Sequence, residues 1–335
     1  MPAKAAVSAE QRGVDSPCDG CRHLTVSVLI PCHNEELTVG GVVRGFREAL
    51  PGARILVADN VSTDATARVA AQAGAEVLPV PIPGKGRAVR RLMESCISDV
   101  VIMVDGDLTY DPTVAPQLVH AVGCLGYDLV NVRRVEEGPG ELYRSGHRIG
   151  NWGLTTLQRR LTGIELRDIL TGYKGMSRRF ATSLPVRSAK FQLEVEIASH
   201  AAAMDFACAE IPAPYRARPE GSHSKLTTYR DGFSLLRAIL RLHRDLRPFA
   251  AFLMLSTPWF LGSAILVYRP TIEYFRTGLV STFPSLIAGV AAFIVAMLLL
   301  TSGWLLDRTR TLRRDLLRVA ANDLERLIAV AGKHP

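Results

Sequence analysis

Asp105-Gly106-Asp107 sets two carboxylates one glycine apart, directly after the apolar run Val100 to Val104. Hard oxygen donors in that arrangement suit Mg²⁺ or Mn²⁺ held against a diphosphate, and Gly106 permits close backbone approach. An ordinary turn is the competing reading of the tripeptide. A second cluster, Tyr215 to Leu226, gathers Arg216, Arg218, Ser222, Ser224 and Lys225 around Gly221, a set of cations and hydroxyls suited to phosphate oxygens. Two rival phosphate signatures fail: Pro83-Gly84-Lys85-Gly86 lacks P-loop spacing, and no Gly-x-Gly-x-x-Gly follows the first strand-like run. The pairing of carboxylates with cations suggests phosphate chemistry.

The elements that must position these groups alternate through the first half of the chain. Thr25 to Ile30 is a β-branched run ending at Pro31, followed by helical spacing from Glu36 to Leu50. The pattern repeats with Arg54 to Ala58, a helix from Asp64, a strand near Glu76 to Val80, a helix from Lys85 and a strand from Val100 to Val104. Strands separated by helices imply a parallel sheet, whose strand C-terminal ends bind ligands. Residues 31–35, 59–64 and 105–111 all fall on such loops.

Two runs, Phe249 to Tyr268 and Phe283 to Leu306, contain no charged side chain. Each is long enough to cross a hydrocarbon core of about 30 Å as a helix. The net charge of +8 is concentrated around them, in Arg237, Arg241, Arg244, Arg247, Arg308, Arg310, Arg313, Arg314 and Arg318. Charge so placed suggests anionic lipid rather than nucleic acid, and the positive-inside rule puts both flanks in the cytoplasm. The expected location is the inner (cytoplasmic) membrane, multi-pass, with the α/β domain on the cytoplasmic side. Arg237, Arg241 and Arg244 share a face of a predicted amphipathic helix that lies on the membrane. Six scattered cysteines lack the spacing of a disulfide framework and read as reduced, and Cys18-x-x-Cys21-x-His23 is half a zinc site with no second half.

These residues resemble family-2 glycosyltransferases of the GT-A fold, in the branch like dolichol-phosphate mannose and polyprenyl-phosphate sugar synthases. The resemblance spans about residues 24 to 232. It is carried by Ile30-Pro31-Cys32-His33-Asn34-Glu35, Ala58-Asp59-Asn60-Val61-Ser62-Thr63-Asp64, Gly84-Lys85-Gly86, Val104-Asp105-Gly106-Asp107, Asp168 through Gly172-Tyr173, and Arg218 through Leu226. It implies an α/β GT-A catalytic domain, Rossmann-like with a mostly parallel sheet, followed by an interfacial helix and two transmembrane helices. It implies further that Pro31, Asn34, Glu35, Asp59, Lys85, Asp105 and Gly106 meet the donor nucleotide, and that Asp105 and Asp107 hold Mg²⁺ or Mn²⁺. Arg133, Arg148, Arg218, Ser224 and Lys225 are the implied phosphate ligands, and Asp168 looks like the acceptor-side acid. Arg133 and Arg148 also read as surface ion-pair residues, and Lys85 as a solvated turn. Asp64 reads as a helix N-cap, and of Glu194 and Glu196 at most one reaches the site, Glu194 being the candidate.

The acceptor follows from chemistry. A sugar hydroxyl must lose a proton as it attacks and benefits from a general base, whereas a phosphate monoester, with a second pKa of about 6, is already nucleophilic. The cation set and the absence of a Gln-x-x-Arg-Trp signature favour polyprenyl phosphate. The run from Asp105 to Pro112 and the form of Arg218 to Leu226 resemble the bacterial UDP-sugar members of the family, which implies a UDP-sugar in preference to GDP-mannose as donor. The alternatives are a hydroxyl acceptor on a glycolipid or polysaccharide, and a membrane scaffold that keeps only the GT-A shape. The expected organisation is a tail at 1–23, the GT-A domain at 24–232, an interfacial helix at 233–248, a two-helix transmembrane hairpin at 249–306 and a basic C-terminal helix at 307–335. Expected partners are the nucleotide sugar, polyprenyl phosphate and membrane lipids, with homo-oligomers left open and no nucleic acid.

Overall fold

The computed structural model describes residues 23–136, 155–156, 159, 163–186, 193–216, 218 and 248–331. Within them, seven strands form one mixed sheet: β1 Val26–Cys32, β2 Arg54–Asp59, β3 Glu76–Pro79, β4 Val100–Met103, β5 Leu129–Glu136, β6 Lys174–Ser177 and β7 Cys208–Tyr215. The order across the sheet is β3-β2-β1-β4-β6-β5-β7. Helical crossovers explain the first half: α1 (Val39–Ala49) and α2 (Thr66–Gln72) each lead to the next strand of the sheet, and α3 (Lys85–Glu94) carries the chain from edge strand β3 back across to β4 beside β1, so β1 to β4 all run parallel. Val28, Leu29 and Ile30 are fully buried, as a central strand covered on both faces requires.

The β1 strand runs two residues past the expected end at Ile30. Pro31 is tolerated because β4 pairs only with Val26–Leu29, so the missing N–H lies beyond that ladder.

The second half departs from simple alternation. After α4 (Ala115–Gly123) and β5, the short strand β6 inserts antiparallel to both β4 and β5, while β7 runs parallel to β5. The helices α5 (Arg178–Ser183) and α6 (Leu193–Met204) follow β6. This insertion brings Thr171 and Gly172, which precede β6, beside the end of β4. Tyr173, fully buried, packs edge-on against Phe46 and Tyr110 and ties that junction to the core.

A separate unit holds the long helix α7 (Pro248–Thr277) and the part of a second long helix, α8 (Phe283–Ala331), up to Ala320. Both are long and apolar enough to cross a membrane, and most side chains of their apolar windows face outward. They pack through small residues: Ser263 Oγ donates to the Gly289 carbonyl at 2.8 Å, and a Cβ on Gly289 would meet the Val267 backbone nitrogen at 3.2 Å. The stretch 269–282 between the two apolar runs is only partly a loop, since Arg269 and Pro270 continue α7 to Thr277. No glycine or proline interrupts residues 304–331, so the basic C-terminal segment continues the second apolar helix without a break.

Candidate active site

The β4 strand ends at Met103, and the loop after it delivers Asp105 and Asp107 to the C-terminal edge of the parallel strands. Asp105 Oδ1 lies 2.7 Å from Lys85 Nζ, and Asp107 Oδ2 lies 2.6 Å from an Arg218 nitrogen. Lys85 also reaches Glu194 Oε1 at 2.7 Å, while Thr109 Oγ1 donates to Asp107 Oδ1 at 2.6 Å. Two glycines make room. A Cβ on Gly172 would lie 2.0 Å from Asp105 Oδ2, and one on Gly106 would lie 2.6 Å from Cys32 Sγ.

The two acids are not equivalent. Burial works against the Asp105 charge, but Lys85, Arg218 and Arg134 together hold its carboxyl below the usual range. Asp107 is pushed up, first by burial and then by the Asp105 charge, against the pull of Arg218. Lys85 loses solvation, yet Asp105 and Glu194 outweigh that loss and keep it firmly protonated.

A second ion pair borders this centre. Asp168 accepts two hydrogen bonds from the Arg134 guanidinium, at 2.7 and 2.8 Å, and Arg134 lies over the Tyr215 ring. Tyr215 bridges to Tyr110, the Arg216 N–H donates to the Thr109 carbonyl at 2.9 Å, and Arg216 pairs with Asp111 at 3.0 Å. The chain leaving β7 is thus zipped onto the Asp-x-Asp loop, which explains how Arg218 comes to Asp107. Tyr110 Oη in turn accepts the Gly172 N–H at 2.7 Å.

Beneath this layer lies Lys174, fully buried, whose Nζ donates to Asn131 Oδ1 at 2.9 Å and to the Ile169 carbonyl at 3.3 Å. Asn131 Nδ2 donates to the Asp168 carbonyl, so this network pins the segment leading to Gly172. Burial pushes Lys174 down to about 8 from 10.5, with Lys85 acting in the same direction and Glu194 and Asp168 opposing. A lysine whose folded pKa is depressed is bound to fewer protons folded than unfolded between those values, so its contribution to stability rises with pH there. Wild type is therefore expected to gain stability relative to Lys174→Met as pH increases from 8 towards 10.5. Thermal melts of both proteins across that window check this; a constant difference in Tm would count against it.

The donor-side loops are braced against each other. Asn34, at φ 52°, accepts the Thr63 N–H on Oδ1 at 2.8 Å, while its own N–H donates to Ser62. The Glu35 N–H donates to Thr66 Oγ1, and Asp59 Oδ1 accepts the Ser62 N–H at 3.3 Å. Asp64 accepts from Thr66 N and Oγ1, one residue ahead of the formal cap Ala65; burial opposes its charge, but these bonds leave its carboxyl below the usual range. Val61 and Leu108 also adopt positive φ, so backbone strain gathers on the loops after β1, β2 and β4.

Several assignments change. Arg134, which the sequence did not single out, pairs with Asp168 and acts on Asp105, whereas its neighbour Arg133, the implied phosphate ligand, acts on Glu210. Lys85 is not a solvated turn residue. Glu194 does reach the site, through Lys85. Asp168, the implied acceptor-side acid, is ion-paired with Arg134. Cys124 is disulfide-bonded, against the expectation of six reduced cysteines, whereas Cys32, Cys96 and Cys208 take part in no disulfide. Arg148, Ser224, Lys225, Gly221 and the interfacial helix lie outside the described residues. Among the described residues no group of three or more His, Cys, Asp or Glu forms a complete cation cage. Asp105 and Asp107 nevertheless fit a cation whose other ligands are diphosphate oxygens: two hard donors lie close enough to repel, and a positive charge between them relieves that repulsion.

The Glycosyl transferase family 2 model matches residues 27–184. Glycosyltransferase AglJ of Haloferax volcanii is 30% identical over 296 residues, which cover 87% of this chain and 95% of that protein. The chain belongs to glycosyltransferase family 2. Another relative of this family-2 glycosyltransferase, the dolichyl-phosphate hexose transferase of the same organism, is 26% identical over 65% of this chain and 93% of its own length. The sheet is that of GT-A enzymes. Glucosyl-3-phosphoglycerate synthase from Mycobacterium tuberculosis, crystallised with Mn²⁺, uridine diphosphate and glucosyl-3-phosphoglycerate, superposes with a TM-score of 0.53 at 25% identity, covering 66% of this chain and 80% of that one.

Proposed function

We propose that this glycosyltransferase moves a monosaccharide from a nucleotide sugar to polyprenyl phosphate, with inversion at the anomeric carbon. The observation that carries the reading is the alternation of charge at the β4 end, where Asp105, Asp107, Asp168 and Glu194 are each ion-paired with Lys85, Arg218 or Arg134. Carboxylates so engaged are poorly disposed to accept a proton from a hydroxyl, whereas the cations suit two phosphate groups that must approach each other. The dolichyl-phosphate hexose transferase relative supports the same acceptor, and the uridine diphosphate held by the structural neighbour supports a UDP-sugar.

In the reaction, an acceptor phosphate oxygen forms a bond to the anomeric carbon as the bond to the nucleoside diphosphate breaks, and the electron pair leaves with the diphosphate. No proton need move. Asp105 and Asp107 would hold Mg²⁺ or Mn²⁺, which neutralises charge on the leaving group. Arg218, carried by the strap zipped to the Asp-x-Asp loop, and Lys85 offer positive charge to the phosphates. Arg148, Ser224 and Lys225 remain candidates for the same task. The two long helices would anchor the enzyme in the cytoplasmic membrane, with the interfacial helix at 233–248 and the Arg-rich flanks on the catalytic side.

Purified enzyme with Mg²⁺ or Mn²⁺, polyprenyl phosphate and a panel of radiolabelled nucleotide sugars is expected to yield lipid-extractable label with one donor. Labelling of a hydroxyl acceptor while polyprenyl phosphate stays unlabelled would overturn the proposal.

A further inference from the structure

One ammonium is shared by two acids from separate elements. Lys85, the first residue of α3, lies 2.7 Å from Asp105, which follows β4, and 2.7 Å from Glu194 near the start of α6. The two acids differ in what else they face. Asp105 belongs to the Asp-x-Asp pair, whereas Glu194, its side chain only 5% exposed, stands behind the lysine. A lysine held from two sides keeps one partner when the other is taken.

We propose that Glu194 is a positioning residue that retains Lys85 at the site when a divalent cation takes Asp105, so that the ammonium exchanges Asp105 for a diphosphate oxygen without leaving. This rests on the reading of Asp105 and Asp107 as cation ligands.

Charge gives the signs. Asp105 and Glu194 share Lys85, Asp107 pairs with Arg218, and Arg134 adds its positive charge at Asp105 from the side. Lys85 therefore competes with a cation for Asp105, yet attracts the diphosphate that the cation accompanies. Glu194 relieves the competition by drawing Lys85 away from Asp105. A lysine that only supported the fold would weaken both ligands together when removed.

The test uses the full chain in detergent, with Mn²⁺ binding followed by electron paramagnetic resonance and Mn²⁺-dependent binding of UDP or GDP by calorimetry. Lys85→Gln is expected to tighten Mn²⁺ roughly fivefold and to weaken the nucleotide roughly tenfold, within the ordinary range of coupling between sites. Glu194→Gln is expected to weaken Mn²⁺ roughly fivefold, because Lys85 then rests on Asp105 alone. The double variant, which also spares Glu194 the loss of its lysine partner, should bind Mn²⁺ like Lys85→Gln, since Glu194 acts through the lysine. Weakening of both ligands by Lys85→Gln overturns the proposal, as does wild-type Mn²⁺ affinity in Glu194→Gln. Mn²⁺ affinity that is unchanged by Asp107→Asn instead removes the cation site on which the proposal rests.

Discussion

Asp107→Asn is expected to lower turnover about 10³-fold, the scale seen when one preorganised charge-stabilising group is lost from an active site. The asparagine keeps the shape and can still accept the Thr109 hydroxyl on its oxygen, so the local turn survives. It cannot pair with Arg218 or contribute a negative charge to a cation. Stability should move the other way. Burial and the neighbouring Asp105 raise the Asp107 carboxyl above its ordinary value, and a carboxylate with a raised folded pKa opposes folding at neutral pH. Activity falling while the melting temperature holds or rises marks a group kept for function rather than for the fold. The comparison needs kcat at saturating donor and a thermal melt of each protein; undiminished turnover would reject Asp107 as a cation ligand.

Gly172→Ala is expected to cost at least about 10²-fold in turnover, as an ångström-scale misplacement of a reacting group does. The new methyl would lie 2.0 Å from Asp105 Oδ2 and 2.5 Å from its Cγ, well inside any real contact. Neither side can yield easily. The Gly172 N–H is held by Tyr110 Oη, and Asp105 is held by Lys85. Crowding also strains the packed Tyr173 next to it, so a loss of about 1–3 kcal/mol in stability accompanies the loss of activity. Steady-state kinetics beside chemical denaturation separate the two effects, and turnover within twofold of wild type would show that Asp105 has freedom the structure denies it.

The legible parts of the site were those set by neighbours in the chain. Asp105 and Asp107 were read from two acids after an apolar strand and the loops at 31–35 and 59–64 from their places at strand ends, whereas the donor roles of Pro31, Asn34 and Asp59 came from the family resemblance alone. Asn34 shows where such reading stops: its motif marks the donor loop, but its side chain is bonded to Thr63 across to the next loop. Arg133 and Arg134 show it again. Both are cations in one strand, and only the packing of β5 beside β6 and the approach of Asp168 reveal which of them turns to the carboxylates. Lys174 gave no signal at all, because a buried lysine in a four-residue strand looks like a surface one until its neighbours are known.

The sequence by itself determined the alternating first half, the Asp-x-Asp carboxylates and the two membrane-length helices, because periodicity, strand-end loops and apolar length are properties of adjacent residues. Only the tertiary structure decided that β6 enters the sheet antiparallel, that Gly172 leaves space for Asp105, and that Lys85 is divided between Asp105 and Glu194. Those are contacts between residues far apart in the chain. Their partners are chosen by which side chains share a buried volume and must neutralise one another there, and no local pattern records that choice.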